Sequence, residues 1–528
     1  MNLPLKTLPD DPAVLQEIIT SLQEGYDQRL FNLQAQHDRQ ISILLEQIRH
    51  LRHLVFGKRS ERLPVDATTV QLPLFDLPEP DHVEPAKVEI GPHSRRKPGR
   101  KPLPPELPRV EIVHDLPEDE KICGCGCALN QIGEEVSEQL DIVPARIQVL
   151  RHIRPKYACR QCEGVEDEGP SVRIAPMPPQ IIPQSIVSPG LLAHVLTSKF
   201  VDHLPLYRQE KLFARLGVEI GRATMSNWAI RAADACQPLL NLIHDEILAA
   251  KLINIDETTL QVLAEPGRAP TATSYMWIFR RGDPDRPALV FQYHPTRAGD
   301  VAKTFLGDYQ GIVQTDGFSG YDFLDHQAGV RHAGCLAHVR RKFMEVVKAQ
   351  GKKRTSGSAD QALAYIQQLY GLEKEARVKQ WSPEMIATMR AEKARPILEA
   401  FHQWLLKRSG QTPPKGLLGR AIGYALKQWD RLLVYLEEPI VTPDNNMAEN
   451  AIRPFVVGRK NWLFAGTPKG AEASALLYSL IETAKANNCE PYSYLRHIFE
   501  QLPQAQSLAD YEALLPWNVD KIKIMRPH

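Results

Sequence analysis

Three carboxylates occupy positions where a short apolar run ends or a helix begins. Asp256 follows Ile-Asn-Ile, Asp316 follows Gly-Ile-Val-Gln-Thr, and Glu449 lies within Asp-Asn-Asn-Met-Ala-Glu-Asn-Ala. A carboxylate at the end of a buried strand is costly unless it is paired or binds a metal ion. Hard oxygen ligands suit Mg²⁺ or Mn²⁺, and two such ions about 4 Å apart serve in-line displacement at phosphorus. The three acids therefore indicate metal-dependent phosphodiester chemistry.

Other acids compete for two of these three places. The competitors are Glu257 for the first place and Asp444, Glu437 and Glu438 for the third. Strand alternation puts Asp256 and its neighbour on opposite faces, so only one of them can face the metals. Glu449 is preferred because Asn450 and Arg453 follow it on the same predicted helix. Arg453 stands at the i+4 position, where it can bind phosphate or orient the acid.

The acids need a sheet to bring them together. Alternating apolar segments predict four strands over 252–262, 274–280, 288–293 and 311–314, separated by Gly- and Pro-containing turns. Asp256 falls in the first strand and Asp316 just past the fourth, 60 positions later, which fits neighbouring strands of one sheet.

The third acid comes much later in the chain. Glu449 follows Asp316 by 133 positions, so the charged helical stretch from about 339 to 438 must loop out as an insertion. Helix resumes after Thr442-Pro443-Asp444. Asn445 or Asn446 is predicted to cap it, which places Glu449 in the first turns.

The N-terminal part predicts a long helix over about 12–56 and then a linker. The apolar residues Ile41, Leu44, Ile48, Leu51 and Val55 recur at steps of three and four. This stripe favours a zipper and a homo-oligomer, although an amphipathic helix packed on its own chain has the same pattern. The Pro-rich segment that follows contains a basic tract over 94–102, which either contacts phosphates or remains a solvated linker.

Five of the eight cysteines lie in two clusters about 30 residues apart. Cys123, Cys125 and Cys127 form the first cluster, and Cys159 and Cys162 form the second, with strand-like sequence between them that includes Ile147, Val149 and Ile153. This arrangement predicts a zinc ribbon, in which thiolate–metal bonds replace a small core. Free or redox-active thiols are the alternative. The first cluster has three thiols for two zinc-ligand positions, so the sequence does not decide which two of them bind.

A helix-turn-helix is predicted between 185 and 250. A helix over 207–216 leads through Gly217 to a second helix that opens with Arg222, Thr224 and Ser226. In such a motif the second helix presents its N-terminal side chains to the major groove of DNA. A plain helical hairpin has the same helix–glycine–helix pattern.

The bulk composition limits the class of protein. Lys plus Arg number 64 against 63 Asp plus Glu, so a nucleic-acid surface must come from local basic segments. The N-terminus has no secretion signal, and no run of about 18 apolar residues occurs, which predicts a cytoplasmic protein without a membrane span.

Four segments resemble the motifs of the insertion-sequence-66 family of DDE transposases. They are Asp256-Glu257-Thr258-Thr259, Gln314-Thr315-Asp316-Gly317-Phe318-Ser319-Gly320-Tyr321, Cys335-Leu336-Ala337-His338-Val339-Arg340-Arg341-Lys342-Phe343 and Asn446-Met447-Ala448-Glu449-Asn450-Ala451-Ile452-Arg453-Pro454. Flanking segments over 56–62, 154–159 and 458–464 match as well. The resemblance covers nearly the whole chain and departs from the family mainly in the first cysteine cluster, where alternating Cys and Gly replace C-x-x-C.

This resemblance implies a ribonuclease-H-like catalytic core interrupted by a helical insertion, within a multi-domain α/β protein. It implies a magnesium-dependent transposase with Asp256, Asp316 and Glu449 as its triad: the two aspartates share two metals and Glu449 holds the second. It also implies accessory proteins encoded by the same element. Cys335 and His338 form a C-x-x-H pair that either binds metal or has a structural role.

The expected function is binding of inverted-repeat ends, DNA cleavage and joining to target DNA. The candidates for phosphate contacts are Arg340, Arg341, Lys342, Arg453, Arg459 and Lys460. The alternatives are a non-catalytic DNA-binding regulator derived from a transposase and a metal-dependent nuclease without strand transfer.

The predicted organisation has eight parts. They are a zipper-like helix (1–63), a Pro-rich basic linker (64–108), a zinc-binding module (109–175), a helix-turn-helix domain (176–248), the first part of the catalytic core (249–338), a helical insertion (339–440), the rest of the core (441–490) and a C-terminal tail (491–528).

Overall fold

The computed structural model describes residues 12–56, 147–158, 172–350 and 356–524. The chain divides into two compact units. The smaller is Pro78–Ala175, and the larger joins Met1–Leu77 to Pro176–His528.

The smaller unit contains a short antiparallel ladder. Strands β1 (Lys156–Ala158) and β2 (Val172–Ile174) pair with Lys156 opposite Ile174. Residues 147–155 form no strand, and Val149 is 92% exposed, so the extended pairing predicted between the cysteine clusters is wrong for this stretch. An extended segment forms a strand only where it can hydrogen-bond to a neighbouring strand. Within the described part of this unit, β1 has such a neighbour in β2.

The larger unit is mainly helical around one sheet. Its elements are α1 (Pro12–Phe56), α2 (Pro189–Phe200), α3 (Leu206–Arg215), α4 (Arg222–Leu248), β3 (Leu252–Gln261), β4 (Thr273–Arg281), β5 (Leu289–His294), α5 (Asp300–Leu306), β6 (Gly311–Gln314), β7 (Val330–Ala333), α6 (Leu336–Gln350), α7 (Ser358–Val378), α8 (Pro383–Met389), α9 (Arg395–Ser409), α10 (Leu417–Lys427), α11 (Trp429–Glu437), α12 (Asn446–Trp462), α13 (Pro468–Ala486), α14 (Pro491–Gln501), α15 (Leu508–Ala513) and α16 (Lys521–Ile524). None of the helices within the described ranges is long and apolar enough to cross a membrane.

Helix α1 forms where the apolar spacing predicts it. Within its stripe, Ile41, Leu44 and Ile48 are 42%, 56% and 51% exposed. The side chains of Leu51 and Val55 lie outside the described residues. These three side chains are therefore substantially exposed, although α1 also contacts α6 of the same chain.

Two helices joined by a turn lie where the helix-turn-helix is predicted, an arrangement that a plain helical hairpin shares. Helix α3 ends at Arg215, Gly217 adopts φ +81°, and α4 begins at Arg222. A positive φ of this size favours glycine, which explains the residue at the turn. Phe213 and Met225 are buried and belong to one apolar cluster, so the two helices are held against a common core.

The sheet has the order β5-β4-β3-β6-β7. Strands β3, β4 and β5 pair antiparallel, whereas β6 is parallel to both β3 and β7. The four predicted strands are confirmed as β3 to β6. Strand β7 was not predicted, because its four residues, Val-Arg-His-Ala, carry no resolvable alternation.

Helix α13 covers the free edge of β5. The backbone N–H of Leu289 donates to Thr483 Oγ1 at 3.0 Å, and that of Phe291 donates to Ser479 Oγ at 2.7 Å. An uncovered strand edge offers unpaired backbone groups to other chains. The hydroxyls of α13 satisfy these donors, so β5 ends the sheet.

Helices α6 to α11 form the predicted insertion, which begins at Leu336 rather than 339. Their apolar side chains form a cluster of their own with Leu252, Ile312 and Ala333 of the sheet. The insertion leaves and re-enters the sheet region at adjacent points: Leu336 N donates to Pro443 O at 2.8 Å, and Asn445 N donates to Cys335 Sγ at 3.2 Å. The two ends of the insertion are therefore hydrogen-bonded to each other, which brings Glu449 back to the sheet.

A buried cluster of amides connects β3, β6 and the start of α12. Asn254 Nδ2 donates to Gln314 Oε1 at 3.0 Å and to Asn445 Oδ1 at 3.1 Å, and Asn445 Nδ2 donates to Ile255 O at 2.8 Å. Asn445 occupies the N-cap position, but its side chain makes no capping hydrogen bond. The predicted asparagine cap is therefore wrong, since this amide is used against β3. Asp444 Oδ1 accepts from Asn446 N at 3.2 Å instead.

We predict that Asn445→Ala destabilises the larger unit by about 1–3 kcal/mol, because it leaves buried polar partners on β3 unsatisfied. Denaturant unfolding followed by circular dichroism measures the loss. Asn461→Ala is the control, since Asn461 is exposed on the same helix and its change should lie within about 0.5 kcal/mol. Equal effects of the two substitutions would contradict the role of the amide cluster.

Candidate active site

Asp256 and Asp316 lie at equivalent positions of two parallel strands. The last residues paired between β3 and β6 are Asn254 and Gln314, and each aspartate lies two residues beyond them. At Asp256, β3 still pairs with β4 through Ile278, whereas β6 has already ended. The flank of β3 beside Asp256 is therefore free of a neighbouring strand, which leaves room for a ligand between the two acids.

Burial and like charges act together on Asp256. They raise its pKa well above the usual value, with burial as the first cause and the charges of Glu257, Glu449 and Asp316 next. A backbone hydrogen bond from Glu257 N to Asp256 Oδ1, 2.9 Å long, opposes this effect. A bound cation would oppose this shift, because a nearby positive charge favours the charged form of a carboxylate.

Glu449 reaches the same cluster from the first turn of α12. Its Oε2 accepts from Arg341 Nη2 of α6 at 3.3 Å, and its Oε1 lies 3.7 Å from His338 Nδ1. Burial raises the pKa of Glu449, the positive charge of Arg341 lowers it, and the charges of Asp444 and Asp316 raise it. The insertion thus supplies the cation that holds the third acid, a contact absent from the sequence prediction.

The competing acids have other partners. Glu437 and Glu438 form ion pairs with Arg331 of β7. Asp444 is half-buried beside the N-terminus of α12, where it accepts the Asn446 N–H. Glu449 is the acid of this group that makes the contacts with Arg341 and His338.

Glu257 is the centre of a network next to the cluster. Its side chain is 1% exposed; Oε1 accepts from Arg297 Nε at 2.6 Å and Oε2 accepts from the Tyr321 hydroxyl. Arg297 also lies 3.9 Å from Asp316 Oδ2 and stacks on Phe318, 3.8 Å from the ring centroid. Glu257 is therefore engaged by Arg297 and Tyr321, which supports the choice of Asp256. The sequence prediction missed Arg297, which stands in a turn-rich segment without a motif.

A further buried network lies under Asp316. Thr315 Oγ1 is 2.8 Å from His332 Nε2, and His332 Nδ1 is 2.7 Å from Asp325 Oδ1. The pKa of His332 is lowered to about 4, because burial and then the charge of Arg431 lower it more than Asp325 raises it. The neutral imidazole therefore serves as a hydrogen-bonding link that fixes the strand end at Asp316.

Gly317, directly after Asp316, lies against the insertion. A Cβ atom at this position would overlap the Tyr424 side chain of α10. The Asp-Gly pair of the motif is thus explained by close packing between the strand end and the insertion.

The predicted phosphate contacts divide into two groups by location. Arg340, Arg341 and Lys342 lie on α6, and Arg453, Arg459 and Lys460 lie on α12. Arg459 Nη1 donates to Thr258 Oγ1 at 3.1 Å and to Thr259 Oγ1 at 3.0 Å. Arg459 therefore connects the end of α12 to β3, whereas Lys460 is exposed.

The predicted groove-reading residues are differently placed. Arg222 and Thr224 are exposed at the start of α4. Ser226 is half-buried and lines a cavity of about 100 Å³ together with Lys199 and Trp462. Arg222 and Thr224 are thus accessible to a ligand from solvent, while Ser226 faces the protein.

The donor set of the acids fits hard divalent cations. Asp256, Asp316 and Glu449 offer carboxylate oxygens, which Mg²⁺ and Mn²⁺ prefer. The charges of Glu449 and Asp316 raise the pKa of Asp256, and the charge of Asp316 raises the pKa of Glu449, so the three acids belong to one electrostatic site. The cysteines predicted to bind zinc, Cys123, Cys125, Cys127, Cys159 and Cys162, lie outside the described residues.

Four family models match this chain. The model described as "Transposase IS66 family" matches residues 184–473, and "zinc-finger binding domain of transposase IS66" matches 120–163. "Transposase C of IS166 homeodomain" matches 43–112, and "IS66 C-terminal element" matches 479–517. The chain belongs to the IS66 family of transposases, as its motifs predict.

Relatives from Sinorhizobium fredii (strain NBRC 101917 / NGR234) align over almost their full length. Uncharacterized protein y4jD is 33% identical over 505 residues, covering 92% of this chain and 96% of the relative. Uncharacterized protein y4qI is 31% identical over 550 residues, covering 98% and 99%. The similarity thus extends beyond the central domain to the N-terminal and C-terminal parts.

We predict that Mg²⁺ raises the melting temperature of the wild type and has little effect on Asp256→Asn. Binding at 100 times Kd stabilises a folded protein by about 2.7 kcal/mol. Differential scanning fluorimetry with and without Mg²⁺ tests this. Asp430→Asn, which changes an exposed acid of the insertion, should respond like the wild type. An equal response of Asp256→Asn would exclude Asp256 as a ligand.

We also predict a pH-dependent difference in Mg²⁺-free buffer. Because the folded-state pKa of Asp256 is raised, the wild type loses stability as pH rises from about 4 toward that value, whereas Asp256→Asn does not. The variant should therefore be the more stable protein at pH 7, and the two should converge near pH 4. Melting curves across this range measure the gap; a gap that widens toward low pH would contradict the buried, charge-crowded site.

Proposed function

We propose that this protein is a DNA transposase that binds the inverted-repeat ends of its element, cleaves DNA and joins the freed 3′-hydroxyls to target DNA. The observation that carries the proposal is the meeting of Asp256, Asp316 and Glu449 at the end of β6, in a chain of the IS66 family. A ribonuclease-H-like core is supported by the sheet, in which three antiparallel strands adjoin two parallel ones, with Asp256 in β3 and Asp316 just after the neighbouring strand β6.

The acids have distinct roles in this proposal. Asp256 and Asp316 would hold two divalent cations, and Glu449 would hold the second cation from α12. When bound, such cations activate an oxygen nucleophile and stabilise the leaving oxygen of an in-line displacement at phosphorus. Arg341 orients Glu449, and Arg297 binds Glu257, which therefore does not compete for the cations.

DNA would contact the protein around this site and at α4. Arg340 and Lys342 of α6 and Arg453 and Lys460 of α12 are proposed to contact phosphates, which position the strand without reading its sequence. Arg222 and Thr224 are proposed to read base edges in the major groove.

Two transposon ends must be held together for joining. The exposed stripe of Ile41, Leu44 and Ile48 on α1 supports pairing of two copies of the chain through this helix. We also propose that a structural zinc ion is bound in the family-matched region 120–163, and that proteins of the same element assist the reaction.

A joining assay tests the proposed chemistry. Labelled element ends, target DNA and Mg²⁺ should give joined products with the wild type. Asp256→Asn, Asp316→Asn and Glu449→Gln should each reduce them by about 100-fold or more, the scale expected when one electrostatic stabiliser is removed. Asp430→Asn is the matched control and should remain active. Cleavage without joining would instead indicate a nuclease, and end binding without cleavage a DNA-binding regulator.

End binding tests the proposed role of α4 separately. Arg222→Ala should weaken binding and lower the slope of log K against log salt by about one, and Thr224→Ala should reduce discrimination between element ends and random DNA. Lys379→Ala removes an equal charge from the exposed surface of the insertion and should change neither quantity. An unchanged salt slope and specificity in the α4 variants would exclude this helix from the interface.

A further inference from the structure

A second set of possible metal ligands lies beside the acidic cluster. Within the described ranges, Cys335, His338 and Glu449 are the group of three Cys, His, Asp or Glu residues whose candidate ligand atoms all lie within 4.8 Å of one another. The set combines a thiol, an imidazole and a carboxylate, which differs in chemistry from the all-oxygen set of the three acids.

Two elements bring these residues together. Cys335 directly precedes α6 and His338 lies in its first turn, so their spacing of three residues puts them on one side of the helix start. Glu449 faces them from the first turn of α12. The hydrogen bond from Asn445 N to Cys335 Sγ, 3.2 Å long, holds the two helix starts against each other.

Two of the ligand atoms are buried without a hydrogen bond. His338 Nδ1 and Glu449 Oε1 both lack a hydrogen-bonding partner among the described residues, and their 3.7 Å separation is too long for a hydrogen bond between them. A buried polar atom left unsatisfied costs about 1–3 kcal/mol. His338 Nδ1 and Glu449 Oε1 therefore lack a bound group that contacts both atoms.

A metal ion between these two atoms would fit the distance that separates them. Zinc lies about 2.0–2.2 Å from nitrogen and oxygen ligands, so a nitrogen–oxygen pair in a tetrahedral site is separated by about 3.3–3.6 Å. The separation of His338 Nδ1 from Glu449 Oε1, 3.7 Å, is close to this range. Glu449 Oε2 is meanwhile held by Arg341, so Oε1 is the oxygen that remains for an ion.

We propose that Cys335, His338 and Glu449 form a binding site for a thiophilic divalent ion of the zinc class. The Cys335 thiol loses its proton to solvent when it binds the ion, the His338 imidazole binds through Nδ1, and Glu449 binds through Oε1. Three protein ligands leave a fourth position for water. Magnesium is a poor match because it prefers oxygen ligands to thiolate.

The site has a consequence that rests on the proposed function. Glu449 would belong both to this site and to the catalytic acids. An ion bound by Cys335 and His338 draws Glu449 away from the magnesium site, so zinc should inhibit strand transfer in competition with magnesium.

Metal stoichiometry tests the site independently of activity. Full-length wild type should bind one more equivalent of Zn²⁺ than Cys335→Ser or His338→Ala, measured by elemental analysis after dialysis against buffered Zn²⁺. Cys489→Ser is the matched control, because Cys489 is also a buried free thiol and donates to Pro516 O at 3.4 Å. The cysteines of region 120–163 contribute equally to all four proteins.

Cobalt gives a second readout on the same proteins. Replacing zinc by Co²⁺ should give the wild type and Cys489→Ser a thiolate-to-cobalt absorption that is larger than in Cys335→Ser. Equal stoichiometry and equal spectra in all four proteins would overturn the proposal. Far-ultraviolet circular dichroism identifies a variant that fails to fold, in which case the other of the two site variants decides.

Inhibition is tested last, with the joining assay at fixed Mg²⁺. Zinc should inhibit the wild type and Cys489→Ser at concentrations at least about tenfold lower than those that inhibit Cys335→Ser. Equal zinc inhibition of the wild type and Cys335→Ser would contradict the proposed competition for Glu449, even if the stoichiometry shows that the site binds zinc. Absence of joining by the wild type without zinc would instead count against the proposed function, leaving the stoichiometry to decide the site.

Discussion

The contact between the Asn254, Gln314 and Asn445 side chains is the constraint on which the acidic cluster depends. It connects two neighbouring strands to the start of a helix that is 191 residues away in sequence from the first of them. Gln314 Nε2 also donates to Gly334 O at 3.2 Å and to Thr442 O at 2.8 Å, so both ends of the insertion are attached to the same amide. Amides suit this role because each offers donors and an acceptor without adding charge beside three carboxylates.

The protein balances the acids with cations placed at the sides of the cluster. Arg341 binds Glu449 from α6, and Arg297 binds Glu257 while lying near Asp316. No comparable cation contact is present for Asp256 within the described residues, where burial and three negative neighbours dominate. The centre of the cluster therefore has fewer compensating cations than its edges, which is the electrostatic setting that a bound divalent cation would favour.

Much of the fold could be predicted because its signals are local. Strands β3 to β6 follow from apolar runs bounded by turns, and the positions of Asp256 and Asp316 follow from where those runs end. The partner of Glu449 could not be predicted in this way. Arg341 lies 108 residues before it, and their contact depends on where the insertion re-enters. The role of Asn445 could not be predicted from local sequence either. Its position predicts a helix cap, but its side-chain amide hydrogen-bonds to β3 instead.

The insertion begins and ends at points that are hydrogen-bonded to each other, between Leu336 and Pro443 and between Cys335 and Asn445. Segments whose ends lie close together can change length at small free-energy cost, because loop closure depends only weakly on length. Change is tolerated most readily in the parts of the insertion away from Arg341 and Tyr424, because these side chains contact Glu449 and pack against Gly317. Over evolution, those parts can be lengthened, shortened or replaced while descendants inherit the same arrangement of carboxylates.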